Sequence, residues 1–115
     1  MVGDTALLAV HVLTSGPRTV CRAVGVLDIA TVAIFREVVE TQVRSGGELV
    51  IDLSELTFCD STGLGAIVGL HRLVTATDGS LVLRSPRPRV ASVLAMTGVD
   101  QVITVQDGPE RAGPR

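Results

Sequence analysis

The sequence predicts an α/β fold, a mixed β-sheet with helices in the order β-β-α-β-α-β-α-β. Three observations lead there. A β-rich run and an alternating run flank a Gly-Pro turn near the start of the chain. Beyond Gly25, apolar runs of strand length alternate with runs whose apolar residues recur at helical spacing. The connections are short and marked by Gly, Pro, Asp or Ser. Helix-linked strands favour parallel pairing, and the opening hairpin contributes one antiparallel strand.

Residues 5–13 are β-rich and break at Thr14-Ser15-Gly16-Pro17, a strong turn signal. Residues 18–24 alternate polar and apolar and stop at Gly25, which completes a hairpin. Asp28 then stands where a helix N-cap belongs, with Thr31 in the first turn. Over 29–44 the apolar positions Val32, Phe35, Val39 and Val43 keep helical spacing, and Ser45-Gly46-Gly47 closes that helix.

The mostly apolar run 48–53 suits a buried central strand, and 54–60 is expected to carry the chain across the sheet end. Ser61-Thr62-Gly63 opens a second helix to about Ala76. Its stripe of Leu64, Ile67, Val68 and His71 is expected inside, with Gly65 and Gly69 marking a close approach to the sheet or a neighbour. A strand over 80–84 follows the Asp78-Gly79 turn, and Pro86-Arg87-Pro88 is a stiff loop. Pro88 starts a third helix through Met96, with Gly98 as its C-cap signal. A last strand is expected over 100–105.

A chain of 115 residues makes one domain and can bury roughly two-thirds of its unfolded surface, enough for a core without staples. The expected domain spans 1–115, with an ordered core over about 5–106 and a flexible tail over 107–115. Apolar residues at 46% and charged ones at 19% exclude intrinsic disorder. The longest apolar stretch, 63–70, is far short of the ~20 residues that span a bilayer, so no membrane association is expected. Met1-Val2-Gly3-Asp4 has no basic n-region, so no signal peptide is expected.

Ten arginines, no lysine and twelve acids give a net charge of −2, which argues against a nucleic-acid partner. Phe35 and Phe58 are the only aromatics, too few for base stacking. Without lysine there is no Walker lysine, Schiff base or lysine general base. Cys21 and Cys59 fall within apolar segments and read as core thiols in a reducing cytoplasm.

The segment with chemical potential runs from Asp52 through Asp60-Ser61-Thr62-Gly63 to Gly65, a strand leading into a glycine-rich helix. A helix N-terminus exposes N–H groups and welcomes anions. Ser61 is not a nucleophile elbow, because position 59 holds cysteine where glycine is required. Cys59 has glycine at position 65, where a cysteine phosphatase loop needs arginine. His71 lies ten residues along the helix from Ser61, ~15 Å away at ~1.5 Å per residue, and His11 has no third group to orient it. Two histidines are too few for a histidine-based metal site, and no cofactor is expected. Asp60 as an aspartyl-phosphate acceptor lacks the distal lysine of a receiver domain.

Phe58-Cys59-Asp60-Ser61-Thr62-Gly63-Leu64-Gly65, preceded by Val50-Ile51-Asp52-Leu53-Ser54-Glu55-Leu56, resembles the signature of the anti-sigma factor antagonists, the STAS-domain family. Gly25-Val26-Leu27-Asp28 is similar to that family's Gly-Glu-Leu-Asp, and Ser85-Pro86 and Met96-Thr97-Gly98 fall where it has a Ser/Pro loop and a helix end. The resemblance runs from about Leu8 to Val105 and departs at Val26, where the family has an acid.

The resemblance implies a STAS-type single domain that is not an enzyme and acts in the bacterial cytoplasm as a monomer or weak dimer. It implies that an anti-sigma factor serine kinase phosphorylates Ser61, with Thr62 as second choice, and that a serine phosphatase reverses the step. Unmodified, the protein would bind the anti-sigma factor and release the sigma factor. Asp28, Asp60, Ser61, Thr62, Gly63 and Leu64 would form the partner-binding site.

Each residue also has an ordinary reading. Ser61 and Asp28 suit helix caps, Asp60 a turn bonding its own backbone, Gly63 and Gly65 close packing. His71 reads as a partly buried core residue, Cys59 as core, and Arg84, Arg87 and Arg89 as a solvated cluster. Three other functions stay open: an unphosphorylated STAS scaffold, a small-ligand or nucleotide site at the helix N-terminus, and a receiver-like domain phosphorylated on aspartate.

Overall fold

The computed structural model describes residues 2–4 and 7–107. Val2–Asp4 (β1), Leu8–Ser15 (β2) and Arg18–Leu27 (β3) pair antiparallel in succession. Glu48–Cys59 (β4), Ser80–Arg84 (β5) and Thr104–Gln106 (β6) continue the sheet in parallel from β3. Strand order in space equals order in the chain. The helices are Val32–Glu40 (α1), Ser61–Ala76 (α2) and Pro88–Thr97 (α3), with a 3-10 turn at Val99–Gln101. The mixed α/β class and its element order are as expected, with β1 added at the edge.

The connections through α1, α2 and α3 each step one strand further in the same direction. Right-handed crossovers that all step one way put their helices on one side of the sheet. Phe35 and Val39 of α1, Ile67 and Leu70 of α2, and Val90 and Leu94 of α3 accordingly share one core with Val10, Cys21, Ile51 and Leu83. Alternation sends Leu13, Val20, Val50 and Val82, which are register partners, to the opposite face.

Several boundaries differ from expectation for local reasons. Helix α1 begins at Val32, because the Asp28 carboxylate accepts from Ala30 N at 2.9 Å and Thr31 N at 3.2 Å and closes a turn ahead of it. It ends at Glu40, where the Thr41 hydroxyl donates to Val38 O at 2.7 Å and the chain turns toward Gly46 at φ 71°. Strand β4 does not leave the sheet at Leu53 but pairs with β3 through Cys59, past register shifts between Arg22 and Val24 and between Gly25 and Val26. Those bulges move Ser54, Glu55 and Thr57 out of simple alternation, which is why the segment reads as a loop.

Helix α3 runs one residue beyond Met96, to Thr97, with Gly98 as its C-cap at φ 80°, and a 3-10 turn delays the last strand to Thr104. Gly65 and Gly69 do not face a neighbour: both are exposed and a Cβ at either would meet nothing within 4 Å. The buried side of α2 is Gly63, Leu64, Ala66, Ile67, Leu70 and Val74, which turns those two glycines to solvent. Thr5 and Ala6, at the start of the expected first strand, and 108–115 of the expected tail lie outside the described residues.

Candidate functional site

Strands β3 and β4 end side by side, with Leu27 and Cys59 as register partners. The two turns that follow, one starting at Asp28 and one at Asp60, therefore emerge together at the same end of the sheet. Asp60 N donates to Leu27 O at 3.2 Å and ties them. In the first turn, Thr31 is buried; its hydroxyl donates to Val26 O at 2.8 Å and accepts from Asp28 N at 3.0 Å. Asp28 is thus a turn-former whose two acceptor contacts fix the entry to α1.

In the second turn Asp60, not Ser61, is the N-cap of α2. Its carboxylate accepts from Gly63 N at 2.9 Å and its carbonyl from Leu64 N at 2.9 Å. Ser61 is the first helical residue and is exposed, while Thr62 is half-buried. Gly63 sits where no larger residue fits: a Cβ there would lie 2.8 Å from Leu27 Cγ, 2.9 Å from Cys59 Sγ and 2.9 Å from Leu27 O. The chain uses that close approach to seat the first turn of α2 against the ends of both strands.

The structure thus brings Asp28, Asp60, Ser61 and Thr62 to one end of the sheet, with Gly63 and Leu64 turned to the core instead of outward. Sequence reasoning did not single out Ile29, 77% exposed, or Phe58, 41% exposed, which adjoin the two turns. Phe58 opens the signature quoted above, but nothing in the sequence marks either residue as exposed, because apolar residues of these types are ordinarily interior.

Among the described residues neither histidine is placed to serve Ser61 as a base. His71 lies half-buried along α2, and His11 lies on the opposite face of the sheet, beside its register partner Arg22. Burial and the Asp60 charge push the Cys59 thiol up to about 12, and burial does the same for Cys21, so both stay protonated core residues. Among the described residues no group of three His, Cys, Asp or Glu side chains could hold a metal ion, and no helix is long and apolar enough to cross a membrane.

The arginine cluster is only partly solvated. Arg84 Nη2 pairs with Asp52 Oδ2 at 3.2 Å, with both side chains largely enclosed, because β4 and β5 place the two in register. Arg87 Nε donates to Ser54 O at 2.9 Å, and Arg89 is exposed. Burial raises the Asp52 pKa, but hydrogen bonds from Ser54 and pairing with Arg84 outweigh it, holding the carboxyl below its ordinary value.

Comparison with known proteins places this geometry. The chain is 31% identical over 81 residues to the anti-sigma-B factor antagonist of Bacillus subtilis (strain 168), covering 70% of this chain and 74% of that protein. It superimposes on the anti-sigma factor antagonist SpoIIAA in its unphosphorylated form with a TM-score of 0.75, 25% identity and 90% of each chain covered. The phosphorylated form of the Bacillus cell fate determinant SpoIIAA gives a TM-score of 0.69 at 24% identity, covering 90% of this chain and 94% of that one. The STAS domain family model matches residues 10–112, and the chain belongs to the STAS domain family.

Proposed function

We propose that this protein is a cytoplasmic anti-sigma factor antagonist, a binding protein and not an enzyme, switched by phosphorylation of Ser61. One observation carries the reading. Ser61 is the exposed first residue of α2, in a turn fixed by the Asp60 cap, the bond from Asp60 N to Leu27 O and the Gly63 contact. A kinase reaches this hydroxyl without opening the fold, whereas Thr62 is half-buried. The relatives named as anti-sigma factor antagonists support the choice of partner.

In this reading the unmodified protein docks an anti-sigma factor kinase through Ser61, Thr62, Asp28 and Asp60, with Ile29 and Phe58 adding apolar area. The kinase transfers the γ-phosphoryl group of ATP to Ser61 Oγ, releasing ADP and the hydroxyl proton; a serine phosphatase returns phosphate by hydrolysis. The phosphate adds about −1.5 to −2 charge beside Asp60. At ~6 Å and an effective dielectric of 40–80 the repulsion is about 1–3 kcal/mol. The helix dipole returns about 0.3–1 kcal/mol. Both terms act in the free and the docked protein alike, so what weakens docking, by about tenfold or more, is the added bulk and the desolvation of two adjoining negative charges at the contact. No backbone movement is needed.

The test is peptide-resolved mass spectrometry after incubation with Mg-ATP and candidate anti-sigma kinases, with Ser61→Ala alongside. One phosphoryl group on Ser61, absent from the variant, supports the switch. No phosphate with several such kinases overturns it, and a scaffold or ligand-binding role then fits better.

A further inference from the structure

Gly25 stands at φ 115°, and a Cβ there would overlap the carbonyl oxygen of Leu7. Its bare backbone lets the approach to β2 lie against β3, where Val26 N donates to Leu7 O at 2.9 Å. Val26 is in turn the register partner of Phe58 on β4. Leu8, Leu27 and Cys59, the next residues along, turn into the helix-side core, so Leu7, Val26 and Phe58 project from the opposite face as one row. Leu7 is 53% exposed and Phe58 41%, and Ile29, in the turn just beyond Val26, is 77% exposed. Polar residues border the row along the chain, Asp28 beside Ile29, Thr57 and Asp60 about Phe58. An exposed apolar patch with a polar rim and an aromatic side chain in it has the anatomy of a protein contact.

We propose that this row anchors the anti-sigma factor that docks at Ser61: it takes apolar side chains of that partner and selects it, while Ser61 sets whether the contact is tight or weak. The inference rests on the reading of Ser61 as a docking switch. Position picks the partner. A specific interface takes about 20–30 residues a side, far more than the two turns supply, so a protein seated on Asp28 and Ser61 covers what adjoins them. Ile29 follows Asp28 and Phe58 stands two residues before Asp60, so the row is the apolar ground next to both turns. The row carries no charge. A charged side chain pressed against it would lose water without gaining a partner, so the matching residues of the anti-sigma factor are apolar.

The phosphate does not reach this anchor. Ser61 heads α2, on the helix side of the sheet, whereas the row projects from the other side. A charge added at Ser61 leaves the row unaltered, so the phosphorylated protein keeps a weaker hold on the same partner instead of losing it.

Titration calorimetry on the full chain, with an anti-sigma factor kinase as the probe, tests this. Ile29→Ser and Phe58→Ser should each weaken binding at least about tenfold, with the melting temperature of Ile29→Ser unchanged. Ile29→Ser should cost the same factor again on a Ser61→Asp background, because anchor and switch act independently. Methyl resonances of Leu7, Val26 and Ile29 should shift when unlabelled kinase is added, a readout that needs no variant. Wild-type protein that binds no such kinase overturns the docking reading and the anchor with it. Wild-type binding that neither Ile29→Ser nor the methyl resonances register overturns the anchor alone and leaves Ser61 as the switch. A loss at Ile29 that vanishes on the Ser61→Asp background also overturns it, since row and switch would then be one contact.

Discussion

Asp60 donates its backbone N–H to the carbonyl oxygen of Leu27 at 3.2 Å, across the ends of two neighbouring parallel strands. The bond refers the start of α2 to β3 as well as to the strand it grows from. Because main-chain atoms make it, it survives any change at the Ser61 side chain. A charge added at Ser61 would therefore leave the shape of the site in place.

Ser61→Asp should separate binding from folding. The side chain is exposed at the first position of α2, where a negative charge stabilises the helix by about 0.3–1 kcal/mol. Thermal unfolding should leave the melting temperature unchanged or slightly raised. Titration calorimetry against the proposed anti-sigma factor kinase should show affinity reduced about tenfold. A matching loss of stability would place the effect in the fold.

Gly63→Ala and Gly65→Ala should move stability in opposite directions. The first pushes a methyl into Leu27 and Cys59 at 2.8–2.9 Å and should cost about 1–3 kcal/mol. The second meets nothing within 4 Å and should gain about 0.5–1 kcal/mol from the better helix propensity of alanine. Urea unfolding of both variants measures the difference directly.

The Asp52–Arg84 pair should give stability a pH dependence. Asp52 has its folded pKa held below the unfolded value, so its contribution is complete above about pH 4 and is lost as pH falls through the depressed folded value. Asp52→Asn should cost about 1–3 kcal/mol at neutral pH by leaving the enclosed Arg84 unpaired. The gap between variant and wild type should close in acid. Urea midpoints from pH 7 down to about pH 3, on dilute samples, would show it. A constant gap would assign the loss to packing.

Both cysteines should be silent toward thiol reagents in the native state. Cys21 and Cys59 are buried, with thiols pushed up to about 12. Labelling with an aromatic disulfide at pH 8 should proceed only at the rate of opening, then titrate both thiols in urea. Rapid native labelling of Cys59 would mean that the turn at Asp60 opens on its own.

What was legible in the sequence depended on how local its cause is. Helix α2 was readable from end to end, because the Asp-Ser-Thr-Gly start, the stripe through Leu64 and Ile67 and the Asp78-Gly79 stop all act within a turn or two. That Gly63 packs closely was expected, but its contact with Leu27 is set by the neighbouring strand, and the same expectation failed for Gly65. The far half of β4 was not legible, since its pairing past Leu53 rests on bulges that only the neighbouring strand reveals. The burial of Arg84 beside Asp52 was equally invisible: thirty-two positions separate them, and only the register of β5 on β4 joins them. Ile29 and Phe58 were missed because exposure of an apolar side chain is decided by the whole fold.

The strand order has a consequence for synthesis. Each strand from β2 onward pairs with the one made immediately before it, and none has to slip between two that are already joined. The sheet can therefore grow by accretion from the opening hairpin, each new strand arriving with the helix that roofs it. Each parallel strand is separated from its partner only by the helical crossover between them, so an unfinished edge waits only until the next strand emerges.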